Sequence, residues 1–249
     1  MRIHEPAIFD RFSAISASYT TKDGGVSKAP YESLNLAYHV GDNNIDVDIN
    51  HMLLSMKLGY DYKKLVIMNQ IHSDKIYKVD ETHDFAYTPS CDALITNMPQ
   101  APLMAMGADC AVVLLYDSKN HAIAAIHAGR KGAFLNIISK TVDALREHYG
   151  TNPKDIIASI GASIRRCCYH IDEQIVLEAK ALKYDYAISY EESKFHLDVV
   201  SIIHKQLKES HIDKIEINRD CTSCRNDTYY SYRADNKLTG RNGGVIYLH

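Results

Sequence analysis

The chain contains no tryptophan, only five phenylalanines and no apolar run long enough to cross a bilayer. A membrane helix needs roughly 18 consecutive apolar residues, so no membrane partner is expected. Charge of one sign is also scarce. Lys and Arg total 28 against 31 Asp and Glu, a formal charge of −3. That balance supplies no general attraction to polyanions, and no nucleic-acid partner is expected. The first twenty residues lack the apolar core of a secretion signal, because Arg2, His4, Glu5, Asp10 and Arg11 interrupt every run. The chain therefore reads as cytoplasmic. Six cysteines in 249 residues are too few for a disulfide scaffold, and a reducing compartment leaves them as thiols. Metal or nucleophilic roles are then open to some of them. Internal repeats, low-complexity tracts and long linkers are absent as well.

What remains is an ordinary globular composition, 46% hydrophobic and 24% charged. The length suits one domain spanning 1–249 with a substantial core. Two apolar segments dominate the middle of the chain, 108–117 and 121–128. Each is short enough for a buried strand. Paired as a hairpin, they bring Cys110 and His127 to one end of a sheet. Turn-forming residues make 20–30 a loop. Residues 48–58 read as a short amphipathic helix through Ile49, Met52, Leu53 and Met56, ending at Gly59. Residues 64–68 read as a strand delivering Gln70 and His72. Further short strands are expected at 92–96, 103–106, 155–160, 214–218 and 244–248. The clearest helix is 132–150, with Phe134, Ile137, Ile138, Val142, Leu145 and Tyr149 on one face and Gly150 as its stop. Two more are expected at 171–182 and at 197–210, the latter with Val200, Ile203, His204 and Leu207 at helical spacing. Hairpin pairs mixed with helices predict an α+β fold, mixed sheets with helices outside.

Three residues carry the chemistry. Cys110, His127 and the upstream His72 would make a one-Cys, two-His site, and three protein ligands with an open fourth position describe a catalytic zinc. The same residues allow a metal-free hydrolase, with Cys110 as nucleophile and His127 as base. A second histidine facing one thiol favours the metal. Asp92 and Asp109 are candidates to accept a hydrogen bond from a ligating histidine and orient it; each reads equally well as a turn or strand-end residue. Gly129-Arg130-Lys131-Gly132 opens a helix, and its N–H groups and dipole would favour an anion. Arg130, Lys131, Lys22 and Arg233 could add charge there; singly, each is more ordinarily a solvated cation.

Some chemistries are disfavoured. Thirteen histidines include no His-x-His pair, so a multicopper cluster has no evident ligands. The His-x-Glu and Pro-Cys-x-x-Cys signature of zinc deaminases is missing. Cys221-x-x-Cys224 has no second such pair, since Cys167 and Cys168 are adjacent. Cys221 and Cys224 resemble half a zinc ribbon or a redox pair, and read first as incidental thiols near a turn, with redox or metal binding as the lesser alternative.

Ordered motifs run along most of the chain: Asp23-Gly24-Gly25-Val26-Ser27, Tyr31-Glu32-Ser33-Leu34-Asn35-Leu36, His39-Val40-Gly41-Asp42, Asn69-Gln70-Ile71-His72-Ser73 and Cys91-Asp92-Ala93-Leu94-Ile95-Thr96. They continue with Ala108-Asp109-Cys110, His127-Ala128-Gly129, Cys221-Thr222, Ser231-Tyr232-Arg233 and Thr239-Gly240-Arg241-Asn242-Gly243. In these the chain resembles the YfiH-like family, also labelled multicopper polyphenol oxidoreductase or laccase-like. The resemblance implies an α+β fold with mixed sheets and a zinc site of His72, Cys110 and His127, with copper as a competing ion. It implies phosphorolysis of purine nucleosides (adenosine, inosine, guanosine or methylthioadenosine), sometimes with adenosine deamination. Phosphate and nucleoside are then the partners, and Lys22, Asn35, Gln70, Arg130, Lys131 and Arg233 the binding candidates.

Other members are described as peptidoglycan editing factors, which makes hydrolysis of a mis-loaded muramyl precursor the alternative. An inactive metal-binding relative is a third reading. Departures bear on that choice. Arg130-Lys131 stands where the family usually has Trp-Arg, and Lys22 where it usually has arginine. The segment 161–170 lacks the usual Gly-Pro, and His170 replaces a common acidic residue. Lysine does not reproduce bidentate binding of an oxyanion.

Overall fold

The computed structural model describes residues 1–249 as thirteen strands in three sheets with five α-helices, an α+β architecture. The largest sheet has six strands in the order β12 (Lys214–Ile217), β8 (Ile156–Ile160), β6 (Ala111–Asp117), β7 (Ala122–Ala128), β4 (Ala93–Thr96) and β3 (Ile76–Lys78). β6 and β7 form the expected antiparallel hairpin, with Ala111 opposite Ala128 and Val112 opposite His127. β8 and β12 run parallel, with Ile160 opposite Ile217. A second, antiparallel sheet joins β1 (Ile3–His4), β2 (Ile15–Thr20), β13 (Asn242–Leu248) and β5 (Leu103–Gly107) in that order. A small third sheet orders β10 (Ile188–Glu191), β11 (Lys194–Leu197) and β9 (His170–Ile171).

The unbroken apolar runs of β6 and β7 follow from burial on both faces. Ala111, Val113, Leu115, Ala124, Ile126 and Ala128 pack into one core with the helices. Val112, Leu114, Tyr116, Ile123 and Ala125 alternate to the opposite face and meet Ile15, Ala17, Leu103 and Ile246 of the second sheet. His127 falls in the second set by strand period, at the open end of the hairpin.

The helices are α1 (Asn44–Leu58), α2 (Arg130–Phe134), α3 (Ile137–Tyr149), α4 (Glu173–Ala181) and α5 (Val199–Glu209). Several expectations are corrected here. The helix expected over 132–150 is two helices. Asn136 takes a left-handed conformation, φ +64°, and breaks the axis so that Phe134 and Ile137 both reach one core. Gly150, φ +68°, ends α3 as expected, its N–H donating to the Arg146 carbonyl. The helix α1 starts before 48, capped by the Asn43 side chain. Its buried face is Val47, Asn50, His51, Leu54 and Ser55, while Ile49, Met52 and Met56 are exposed. Polar anchoring outweighs the apolar stripe: the Asn50 amide accepts from Val26 N at 2.8 Å and donates to Asn35 O at 2.8 Å, holding the preceding loop. Residues 64–68 form no regular strand, only an isolated bridge from Val66 to Leu103. Leu197 closes β11 rather than opening α5, and His204 is exposed on α5. No helix is long and apolar enough to cross a membrane.

Candidate functional site

The hairpin register sets the site. Since Ala111 faces Ala128, the residues just beyond, Cys110 and Gly129, meet at the sheet's end. A Cβ added at Gly129 would lie 2.7 Å from Cys110 Sγ and 3.2 Å from His72 Nδ1. The glycine thus keeps open the space between the two donors. Its φ of −76° is ordinary, so close approach and not backbone freedom explains it. His72 arrives on a loop after the extended segment 65–70, itself in the left-handed region with φ +55°. Its ring stands edge-on to His127, with centroids 4.8 Å apart. The donor atoms of His72, Cys110 and His127 all lie within 4.8 Å of one another.

Asp92, immediately before β4 and fully buried, organises this group. Its carboxylate accepts from His127 Nδ1 at 2.8 Å, from His72 N at 3.0 Å, and from Ser73 N and Oγ at 2.6 and 2.7 Å. Nε2 is the His127 nitrogen left to face the donor cluster. Burial opposes charge on that ring, but the neighbouring Cys110 sulfur and Asp92 outweigh it and raise its pKa to about 9. His72 moves the other way. Loss of solvent around its ring and the nearby His127, Lys131 and Arg241 lower its pKa, although the residue as a whole is exposed. Burial also opposes ionisation of Asp92, yet His127 and Ser73 hold its carboxyl below the usual range. One thiol and two imidazoles around a space a Cβ would fill suit a borderline-soft ion such as zinc or copper.

The cluster forms one wall of a cavity of about 510 Å³. Arg130, Arg233 and Arg241 line it, as do Tyr169, Tyr232 and His39. Arg130 pairs with Glu178 at 2.7 Å. Arg233 lies 5.6 Å from the Tyr169 ring, and Arg241 lies 5.7 Å from that of Tyr232. Arg241 Nη1 donates to the Thr239 and Gly240 carbonyls at 3.0 and 2.9 Å, which fixes the guanidinium beside the cavity.

The other sequence candidates divide: Gln70 and Asp109 line the cavity, while Lys22, Asn35 and Lys131 do not. Lys22 donates to the Asn226 carbonyl and does not line the cavity. Asn35 is fully buried and is not among the lining residues; its Oδ1 accepts from Ala37 N and Arg241 N, both at 3.0 Å, so it fixes backbone. Gln70 lines the cavity, but its amide is spent on Met106, donating to the carbonyl and accepting from N–H, each at 2.8 Å. Lys131 is exposed and is not among the lining residues, although its charge is close enough to act on His72. Asp109 orients no histidine. It accepts from Thr222 Oγ1 at 2.6 Å and Arg233 N at 2.9 Å, tying two loops to the cavity floor. The anion site expected at a long helix is weakened too, since α2 has five residues. Sequence reasoning missed Arg241, His39, Tyr169 and Tyr232 as lining residues. The signal for Arg241 was present, an arginine inside the quoted 239–243 motif.

Residues 16–249 match the family model described as multi-copper polyphenol oxidoreductase laccase. A purine nucleoside phosphorylase of Corynebacterium glutamicum is 34% identical, over 92% of this chain and 93% of that protein. Another, of Streptomyces coelicolor, is 33% identical over 96% of this chain and 98% of its own. Among solved structures, the YfiH protein of Bacillus licheniformis superposes with a TM-score of 0.92 at 31% identity, covering 96% of this chain and 95% of that one. YlmD of Geobacillus stearothermophilus gives 0.89 at 29% identity, over 96% and 93%. The chain belongs to this multi-copper polyphenol oxidoreductase laccase family.

Proposed function

Starting from that membership, we propose that the protein is a zinc-dependent purine nucleoside phosphorylase. The observation that carries the reading is one cavity with a Cys-His-His cluster on one wall and three arginines and two tyrosines on the others. A volume of about 510 Å³ suits a nucleoside with an anion beside it. The relatives named purine nucleoside phosphorylase support the choice of reaction.

In this reading phosphate attacks the anomeric carbon of the ribose. The carbon–oxygen bond forms as the bond to the purine nitrogen breaks, and the departing base takes up the proton that the attacking hydrogen phosphate gives up. Arg241 and Arg233 bind and orient the phosphate; Arg130, held by Glu178, adds charge at the edge. Tyr169 and Tyr232 supply flat apolar surface against which a purine stacks. His72, Cys110 and His127 would hold the zinc, with Asp92 fixing the His127 tautomer. When bound, the ion would act as a Lewis acid toward a substrate oxygen. A four-copper oxidase reading gains no support from this cluster, which offers three donors.

The test is chromatography of zinc-loaded protein with inosine and with adenosine, with and without phosphate. Free base plus ribose-1-phosphate, formed only with phosphate, is the expected result. Free base without phosphate would mean hydrolysis. Inosine or hypoxanthine from adenosine would report deamination in addition. No turnover under either condition would overturn the reading in favour of a precursor hydrolase or an inactive metal-binding relative.

A further inference from the structure

Four cysteines outside the cavity meet at a second place. The parallel pairing of β8 and β12 sets the segments that follow them side by side. Ser163 bridges to Cys221, and Thr222 N donates to Ser163 O at 3.1 Å. That brings Cys167 and Cys168 against Cys221 and Cys224. All four sulfurs lie within 4.8 Å of one another. Cys224 Sγ is 3.4 Å from Cys168 Sγ and 3.6 Å from Cys167 Sγ. These separations far exceed a disulfide bond of about 2.05 Å. They resemble the roughly 3.8 Å between corners of a tetrahedron whose metal–sulfur distance is about 2.3 Å.

The surrounding backbone is arranged for thiolates. Arg165 N donates to Cys221 Sγ at 3.4 Å. Positive charge is close in sequence. Arg165 and Arg166 precede Cys167, and Arg225 follows Cys224. The site also lies at the surface, with Cys167 and Cys224 exposed, so an ion can reach it.

We propose that Cys167, Cys168, Cys221 and Cys224 form a second metal centre, a tetrathiolate site that takes zinc. Four protein ligands leave no open position, so this centre is structural and not catalytic. Binding exchanges four thiol protons for one divalent ion, with no change of oxidation state. The centre pins the turn carrying Tyr169 to the loop that leads toward Arg233, and both of those residues line the cavity. It stands independently of the phosphorylase reading.

The experiment uses protein prepared under reducing conditions and reconstituted with zinc alone. Metal content is measured for wild type, Cys110→Ala and Cys110→Ala/Cys224→Ser. The expected zinc equivalents per chain are two, one and none. X-ray absorption on Cys110→Ala gives a direct readout that needs no cysteine variant of the new site to fold. An all-sulfur shell near ~2.3 Å is expected there. Nitrogen or oxygen in that shell, no zinc in Cys110→Ala, or a native disulfide among the four cysteines would overturn the proposal. A wild type holding only one, all-sulfur zinc would keep this centre and remove the metal from the Cys110 site instead.

Discussion

Asp92 and His127 meet through Oδ1 and Nδ1 at 2.8 Å, with the carboxylate fully buried and the ring 3% exposed. The contact fixes which imidazole nitrogen faces Cys110. Asp92→Asn removes the charge and keeps most of the shape, so zinc affinity at the Cys110 site should fall about 10- to 100-fold. Asp92→Ala should do worse. It strands the part-buried N–H groups of His72 and Ser73, for which about 1 kcal/mol each, the low end of the cost of an unpaired donor, is expected. Competition with a chelator, alongside thermal melts, separates the two variants. Unchanged zinc affinity in Asp92→Asn would mean that the loop, not the carboxylate, sets the ring.

Gly129→Ala tests the space between the donors without straining the chain. The φ of −76° and ψ of 177° are open to alanine, while the new Cβ would fall 2.7 Å from Cys110 Sγ. The variant should fold with a melting temperature within a few degrees of wild type and fail to hold the zinc proposed for the Cys110 site. Full zinc occupancy would show that Cys110 and His72 can move apart at little cost.

Arginine and lysine should separate at the proposed anion site. Arg241 is held by two backbone carbonyls and lines the cavity, whereas Lys131 is exposed outside the lining. Arg241→Lys keeps the charge and loses the planar fork, so KM for phosphate should rise roughly tenfold or more, with a smaller change for nucleoside. Lys131→Ala should change either constant less than about twofold. Steady-state kinetics varying each substrate decides it. A larger effect from Lys131 than from Arg241 would place the phosphate on the outer side of α2.

The legible parts of this protein were those set by local pattern. The β6–β7 hairpin showed as two apolar runs because both faces are buried, and its ends led to Cys110 and His127. Burial was misjudged on α1, where Asn50 and His51 face inward because backbone groups of the 25–36 loop need partners. The break at Asn136 was invisible because the residues either side of it keep helical spacing. The cysteine cluster depends on pairing between distant strands. Cys167 and Cys168 meet Cys221 and Cys224 only through the β8–β12 register, which no spacing rule encodes.

His51 offers a test of the buried polar anchor. Its Nε2 lies 2.9 Å from the Leu36 carbonyl, and Nδ1 has no partner. Burial lowers its pKa to about 4. The unfolded chain carries an ordinary histidine near ~6.5. Between those values the unfolded state binds the extra proton, so this residue's contribution is intact above about 6.5 and lost as pH falls toward 4. The loss should reach about 2 kcal/mol by pH 5. His51→Gln has no such titration. Urea melts of both proteins at pH 7 and pH 5 should therefore show a steeper acid loss in wild type, by about that amount. Parallel losses would mean that the folded ring takes up its proton near the ordinary pH, with water or a shifted helix α1 accommodating the charge.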